Sequence, residues 1–193
     1  MVNFKNENRY SFERVSGLVL DMQSRLLNGI AEKDDLVDAV SIFCKAMNFF
    51  EIRTVITEQV PSKLGETCGE ISSLCADSPK FSKKTFSAFG ESSFASWVEQ
   101  EKIEHLIITG IETPICVYLS AVDAIKKGME VTVLTDCIGA RRHGDAAQCL
   151  GQLERIGCHL LPLETLLYSL LGSADHAVFR SISELVRARS TLS

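Results

Sequence analysis

Short apolar runs and amphipathic stretches take turns along this chain of 193 residues. The first clear run spans residues 15–21, where Gly17-Leu18-Val19-Leu20 stops at Asp21 and passes into Met22 and Gln23. A short, continuously apolar run that ends at an acid predicts a central parallel strand with Asp21 at its C-terminal end. Asp34 and Asp35 then open a segment in which Leu36, Val37, Val40, Phe43, Cys44 and Met47 recur at helical spacing. This predicts a helix with two acids in its first turn, where the helix dipole favours them. Further strands are predicted over residues 51–57, 79–83, 106–109, 129–134 and 158–161. Further helices are predicted over residues 94–102, 115–127, 143–156, 164–171 and 176–189, with Gly128 and Gly157 closing two of them. Residues 62–78, rich in serine and carrying Gly65 and Gly69, read as a long irregular connection. Residues 1–14 read as an irregular arm pinned by Phe4 and Phe12.

Strand and helix alternate without an internal repeat, which predicts an α/β protein: a Rossmann-like three-layer α/β/α fold with a mainly parallel six-stranded sheet, a single domain over residues 1–193. No GxGxxG follows the first strand and no GxxxxGK[ST] occurs, so a dinucleotide cofactor is not expected.

Composition narrows the function classes. The net charge is −5, and lysines and arginines cluster only as the pairs Lys83-Lys84, Lys126-Lys127 and Arg141-Arg142. No basic stripe is present for a nucleic acid to follow. The seven cysteines fall without CxxC or zinc-ligand spacing, and several lie in apolar runs, a usage that suits a reducing compartment. No run approaches the roughly twenty apolar residues of a membrane span, and the N-terminal segment lacks the apolar core of a signal peptide. A soluble cytoplasmic protein without a membrane partner is expected.

Candidate chemistry centres on residues 106–120, LIITGIETPICVYLS. A buried strand, a tight polar turn with Pro114 and the start of a helix place Cys116 in a first helical turn. The helix dipole and unpaired backbone N–H groups favour its thiolate there. Taken alone, the same cysteine fits equally a small apolar residue filling the interface between helix and sheet. Asp21, Lys83 and Cys116, however, fall at the C-terminal ends of three predicted strands, and these ends share one rim of a parallel sheet. A carboxylate can take a thiol's proton, a lysine ammonium can hold the thiolate, and backbone N–H groups before the helix can receive an oxyanion.

These residues resemble the isochorismatase-like cysteine hydrolases. The resemblance runs through Leu18-Val19-Leu20-Asp21-Met22-Gln23, Lys83-x-x-Phe86-Ser87-Ala88-Phe89 and Gly110-Ile111-Glu112-Thr113-x-x-Cys116-Val117, and on to Thr135-Asp136. It implies a catalytic triad of Asp21, Lys83 and Cys116, with Lys84 as the alternative lysine if the register shifts by one. It further implies a cis peptide between Ile111 and Glu112, and an oxyanion hole formed by the backbone N–H groups of Glu112 and Cys116. Nicotinamidase members of that family carry an Asp-x-His pair and a further histidine for a metal. This chain has Thr57-Glu58-Gln59-Val60-Pro61 in that place, and His105, His143, His159 and His176 lack metal-ligand spacing. No metal and no other cofactor is therefore expected. The run is similar instead to the metal-free branch that includes the isochorismatase-domain-containing proteins.

The reading that follows is an amidase-type hydrolase that cleaves a C–N bond of a small molecule through a thioester at Cys116. Gln23, Leu26, Gln59, Phe86, Phe89, Pro114 and Ile115 are the expected pocket walls, a mixture suited to a small, mostly neutral substrate. A homo-oligomer is expected, with the apolar face of residues 164–171 either a subunit contact or core. The alternative is a catalytically vestigial protein that acts through assembly or partner binding.

Overall fold

The computed structural model describes residue 12 and residues 14–190. Six strands, β1 (Val15–Leu20), β2 (Arg53–Gln59), β3 (Lys80–Lys83), β4 (His105–Ile111), β5 (Glu130–Gly139) and β6 (His159–Leu161), form one sheet in the order β3-β2-β1-β4-β5-β6. Every pairing is parallel. The chain builds outward from β1 to β3, then returns to the other side of β1 with β4. That return makes the β1/β4 seam the topological switch point, whose C-terminal crevice is where open α/β sheets bind ligands.

The period-2 alternation of strand side chains sorts the core into two layers. Val15 and Val19 of β1 pack with Ile56, Ile107 and Leu134 beneath α2 (Lys33–Phe49), α8 (Leu163–Leu171) and α9 (Phe179–Ser190). Leu18 and Leu20 point the other way and pack with Leu106, Ile108, Val131 and Val133 against α5 (Ser92–Gln100), α6 (Tyr118–Lys126) and α7 (His143–Arg155). Leu166, Leu167 and Leu170 of α8 are fully buried, so within the chain this face serves the core. Asp136 ties the last two helices to the sheet: its carboxylate accepts the Leu163 N–H at 2.8 Å and the Arg189 guanidinium at 2.6 Å.

Three sequence expectations change. The connection read as irregular contains α3 (Pro61–Leu64) and α4 (Gly69–Leu74) after a short α1 (Ser24–Leu27) that follows β1. Its serines and glycines gave no helical period, and hydrogen bonds to the strand ends fix it instead: Thr67 pairs with Gln23, and the Cys68 N–H donates to the Met22 carbonyl at 2.8 Å. β5 runs past residue 134 to Gly139, with a register shift opposite Ile108 and Gly110 that re-aims the end of β4. The helix expected from residue 115 begins instead as a wide π-helical turn, Thr113–Val117, before α6. Phe12, the described part of the N-terminal arm, sets its ring edge-on against Phe50 at 6.0 Å; Phe4 lies outside the described residues.

Candidate active site

The site is assembled at the C-terminal ends of four adjacent strands. Asp21 directly follows β1, Gln59 closes β2, Lys83 closes β3, and β4 leads into the turn that carries Cys116. Asp21 has a left-handed backbone, φ 53°, a conformation that aspartate tolerates better than most residues. This breaks the strand and leaves the carboxylate at the rim. Gly110 does the corresponding work on β4: its φ is 105°, and an added Cβ would lie 2.1 Å from the Leu20 carbonyl oxygen. Only glycine lets β4 approach β1 there. The Ile111–Glu112 peptide that follows is cis.

Asp21, Lys83 and Cys116 converge. Lys83 Nζ donates to Asp21 Oδ2 at 2.6 Å and lies 3.6 Å from Cys116 Sγ. The side chains of Lys83 and Asp21 are wholly shielded from solvent. A buried ion pair persists only if its remaining hydrogen-bonding groups are satisfied, and here they are. Thr57 Oγ1 donates to Asp21 Oδ1 at 2.8 Å; Lys83 donates also to Gln59 Oε1 at 2.6 Å and to the Phe86 carbonyl at 3.3 Å. Lys84, the alternative lysine, is exposed. Its carbonyl accepts from the Gln59 side chain at 3.0 Å, which locks Gln59 beside Lys83.

The electrostatics of Cys116 differ from the sequence expectation. Burial pushes the thiol up to about 12, the Asp21 carboxylate acts in the same direction, and Lys83 and the Glu112 backbone N–H oppose them. Burial and the Asp21 carboxylate outweigh the opposing pull of Lys83, a balance that favours the neutral thiol.

A cavity of about 370 Å³ opens onto Cys116 and is lined in part by Leu26, Gln59, Phe86, Ile115, Arg25 and Arg141. Four of the seven expected wall residues are thus in place, with Phe86 57% exposed at the mouth. The other three are not. Gln23 is fully buried and its amide is engaged by the Gln59 backbone N–H and carbonyl, at 2.8 Å and 3.1 Å. Phe89 turns into the opposite core layer, with its ring edge-on to Phe94 at 5.1 Å. Pro114 opens the π-helical turn and leaves the wall to its neighbour Ile115. The two arginines went unread in the sequence, Arg25 because α1 is only one turn long and Arg141 because it looked like one half of a solvated pair.

The residues at the end of β2 do not fit a metal. The Glu58 carboxylate accepts both the N–H and the hydroxyl of Thr67, each at 2.8 Å, and Gln59 receives the Lys83 ammonium. Among the described residues no three His, Cys, Asp or Glu side chains gather to hold an ion.

Comparison with known proteins gives this geometry a family. The isochorismatase domain matches residues 17–165. Isochorismatase domain-containing protein 2 of Xenopus laevis is 29% identical over 175 residues, covering 90% of this chain and 84% of that protein. Among solved structures, a MAR1 ribonuclease from Caenorhabditis elegans superposes with a TM-score of 0.84 at 26% identity, covering 90% of each chain. YcaC of Escherichia coli, described as an octameric hydrolase of unknown specificity, superposes with a TM-score of 0.83 at 21% identity, covering 98% of this chain and all of its own. A strand-end crevice of the right topology and a domain match over most of its length lead to one conclusion: this chain belongs to the isochorismatase family, a family of α/β hydrolases.

Proposed function

We propose that this hydrolase cleaves the C–N bond of a small amide through a thioester at Cys116. The observation that carries the reading is the buried contact of Lys83 with both Asp21 and Cys116. In the resting cluster an ammonium, a carboxylate and a neutral thiol sum to zero charge. Moving the thiol proton to Asp21 leaves that sum unchanged, so the nucleophile is created without placing net charge in a dry site. Sγ attacks the amide carbonyl as Asp21 takes the proton, and the backbone N–H groups of Glu112 and Cys116 receive the oxyanion. Asp21 returns the proton to the leaving nitrogen, the C–N bond breaks, and an acyl-thioester remains. A water then attacks the thioester, giving its proton to Asp21, and the carboxylic acid leaves as the thiol is restored. Lys83 stays protonated throughout.

The ribonuclease activity named for the Caenorhabditis elegans relative finds less support in this chain. Its net charge is −5, and its lysines and arginines cluster in the sequence only as pairs. The octameric state named for YcaC supports a homo-oligomer here, and the exposed Phe86 and Leu119 are apolar surface that association would cover. No helix among the described residues is long and apolar enough to cross a membrane, and all seven cysteines are free, which supports a cytoplasmic setting. A panel of small amides assayed for ammonia release with wild type and Cys116→Ala in parallel tests the reading. Turnover is expected in wild type and absent in the variant; equal turnover in both would exclude Cys116 as nucleophile.

A further inference from the structure

Thr57 meets Asp21 twice. In the parallel pairing of β1 with β2 it stands opposite Leu20, and its carbonyl accepts the Asp21 N–H at 3.1 Å. Its hydroxyl donates to Asp21 Oδ1 at 2.8 Å. Oδ2 accepts from the Lys83 ammonium at 2.6 Å, so each oxygen of the carboxylate has its own donor, one from β2 and one from β3. Thr57 and Asp21 are both completely shielded from solvent, and bulk water does not stand in for either donor. β2 is buried from Thr54 to Gln59, and packing alone would be served at position 57 by valine, which has the shape of threonine without the hydroxyl. The charged or titratable groups that face Asp21 among the described residues are Lys83, from β3, and Cys116, from the turn after β4. Thr57 is the neutral third partner. It is not among the residues that line the cavity, so it acts through Asp21 and not on the substrate.

From these contacts we infer that Thr57 is a positioning residue, whose hydroxyl keeps Asp21 ionised and turned to carry the proton of Cys116. The inference rests on the proton transfer between Cys116 and Asp21 proposed above. A buried carboxylate stays ionised only while donors hold its charge, and a donor lost shifts the balance towards the neutral acid. An Asp21 that already holds a proton has no place for the one on Cys116, and the sulfur then stays a thiol. The hydroxyl also fixes the plane of the carboxylate, since donors on both oxygens oppose its rotation. A hydroxyl with a merely structural role leads elsewhere: its removal would cost stability, and activity would follow stability alike at every pH.

Two variants separate these roles. Thr57→Val keeps the shape and removes the donor; Thr57→Ser keeps the donor and removes a buried methyl. Both are expected to be less stable than wild type, so stability does not distinguish them and the pH profile does. The first readout needs no turnover: the rate at which iodoacetamide alkylates Cys116, mapped by peptide mass from about pH 5 to about pH 9, within the range where each protein is folded by circular dichroism. Wild type is expected to hold a plateau near neutral pH that falls away on the acid side as Asp21 takes up a proton. In Thr57→Val that acid edge is expected to move up by about one pH unit, and in Thr57→Ser to stay in place. If the valine variant does not fold, Thr57→Cys, with a weaker donor in the same place, is expected to move the edge in the same direction. The second readout is the acid edge of kcat/KM with any amide that wild type turns over, where the same pattern is expected. An unmoved edge in Thr57→Val, or an equal shift in Thr57→Ser, would overturn the inference; amide turnover in those same proteins would leave the amidase reading standing. An alkylation edge moved by valine and kept by serine, with no amide turned over by any form, would uphold the role of Thr57 and overturn the amidase reading.

Discussion

Lys83 Nζ lies 2.6 Å from Asp21 Oδ2 in a site from which both side chains exclude water. Removing one member of such a pair leaves the other charged, buried and uncompensated, at a cost of about 3–5 kcal/mol. Lys83→Met is therefore expected to lower stability by that order as well as to abolish activity. The double variant Lys83→Met/Asp21→Asn is expected to recover much of the stability and none of the activity. Denaturant titration of the single and double variants checks the first part and the amide assay the second.

Gln59 accepts from Lys83 at 2.6 Å and is itself held by the Lys84 carbonyl at 3.0 Å. Its expected role is to aim the ammonium at Asp21 and Cys116. Gln59→Leu removes that acceptor while keeping the volume, and is expected to destabilise by about 1–3 kcal/mol. Its effect on catalysis is expected in kcat for charged and neutral amides alike. A loss confined to KM would mark Gln59 as a substrate contact instead.

The buried thiols set an alkaline limit on stability. Burial raises Cys116 and Cys158 to about 12 and raises Cys137 well above its ordinary value, whereas an unfolded thiol titrates near 8.5. A group raised on folding contributes stability that is fully present below the unfolded value and lost as pH climbs towards the folded one. Stability is expected to fall above about pH 9, by up to roughly 1.4 kcal/mol per pH unit for each such thiol. His105 gives the opposite limb: burial lowers it to about 4, so its contribution is present above about 6.5 and lost as pH falls to 4. Thermal melts from pH 4 to 11 are expected to show a plateau between these limbs. His105→Gln is expected to soften the acid side, and Cys158→Ala the alkaline side.

Gly110 is where β4 crowds β1. Alanine there would set a methyl 2.1 Å from the Leu20 carbonyl oxygen at φ 105°, so either the β1/β4 seam opens or the turn to Cys116 moves. Gly110→Ala is expected to cost about 3 kcal/mol or more and to lower kcat in whatever fraction remains folded. Gly144→Ala, at a glycine whose Cβ would meet nothing within 4 Å, is the control and is expected to stay within about 0.5 kcal/mol.

The layered sheet was legible because β1, β4 and residues 131–134 of β5 are buried on both faces and therefore mostly apolar, between turn residues. The place of Asp21 at the rim was legible for a related reason, since it ends the apolar run of β1; Lys83 closes the half-polar β3 and Cys116 lies beyond β4, so their place beside it was read from strand order and the resemblance. The short helices α3 and α4 were not, because α3 buries no residue, α4 buries only Ile71, and hydrogen bonds to Met22, Gln23 and Glu58 hold the connection. Gln23 and Phe89 were misplaced for lack of direction: one residue of offset decides whether a side chain enters the cavity or the opposite layer. The upward push of burial and of Asp21 on the Cys116 thiol was not legible because sequence shows the helix start but not the depth of burial or the carboxylate near the sulfur.

The central claim is the covalent bond between substrate and Cys116. With any amide that wild type turns over, rapid acid quench followed by peptide mass mapping tests it most directly. The peptide containing Cys116 is expected to carry the acyl group of the substrate during turnover and to lose it once substrate is exhausted. Sustained turnover with no acyl group on Cys116, accompanied by activity in Cys116→Ala, would contradict it.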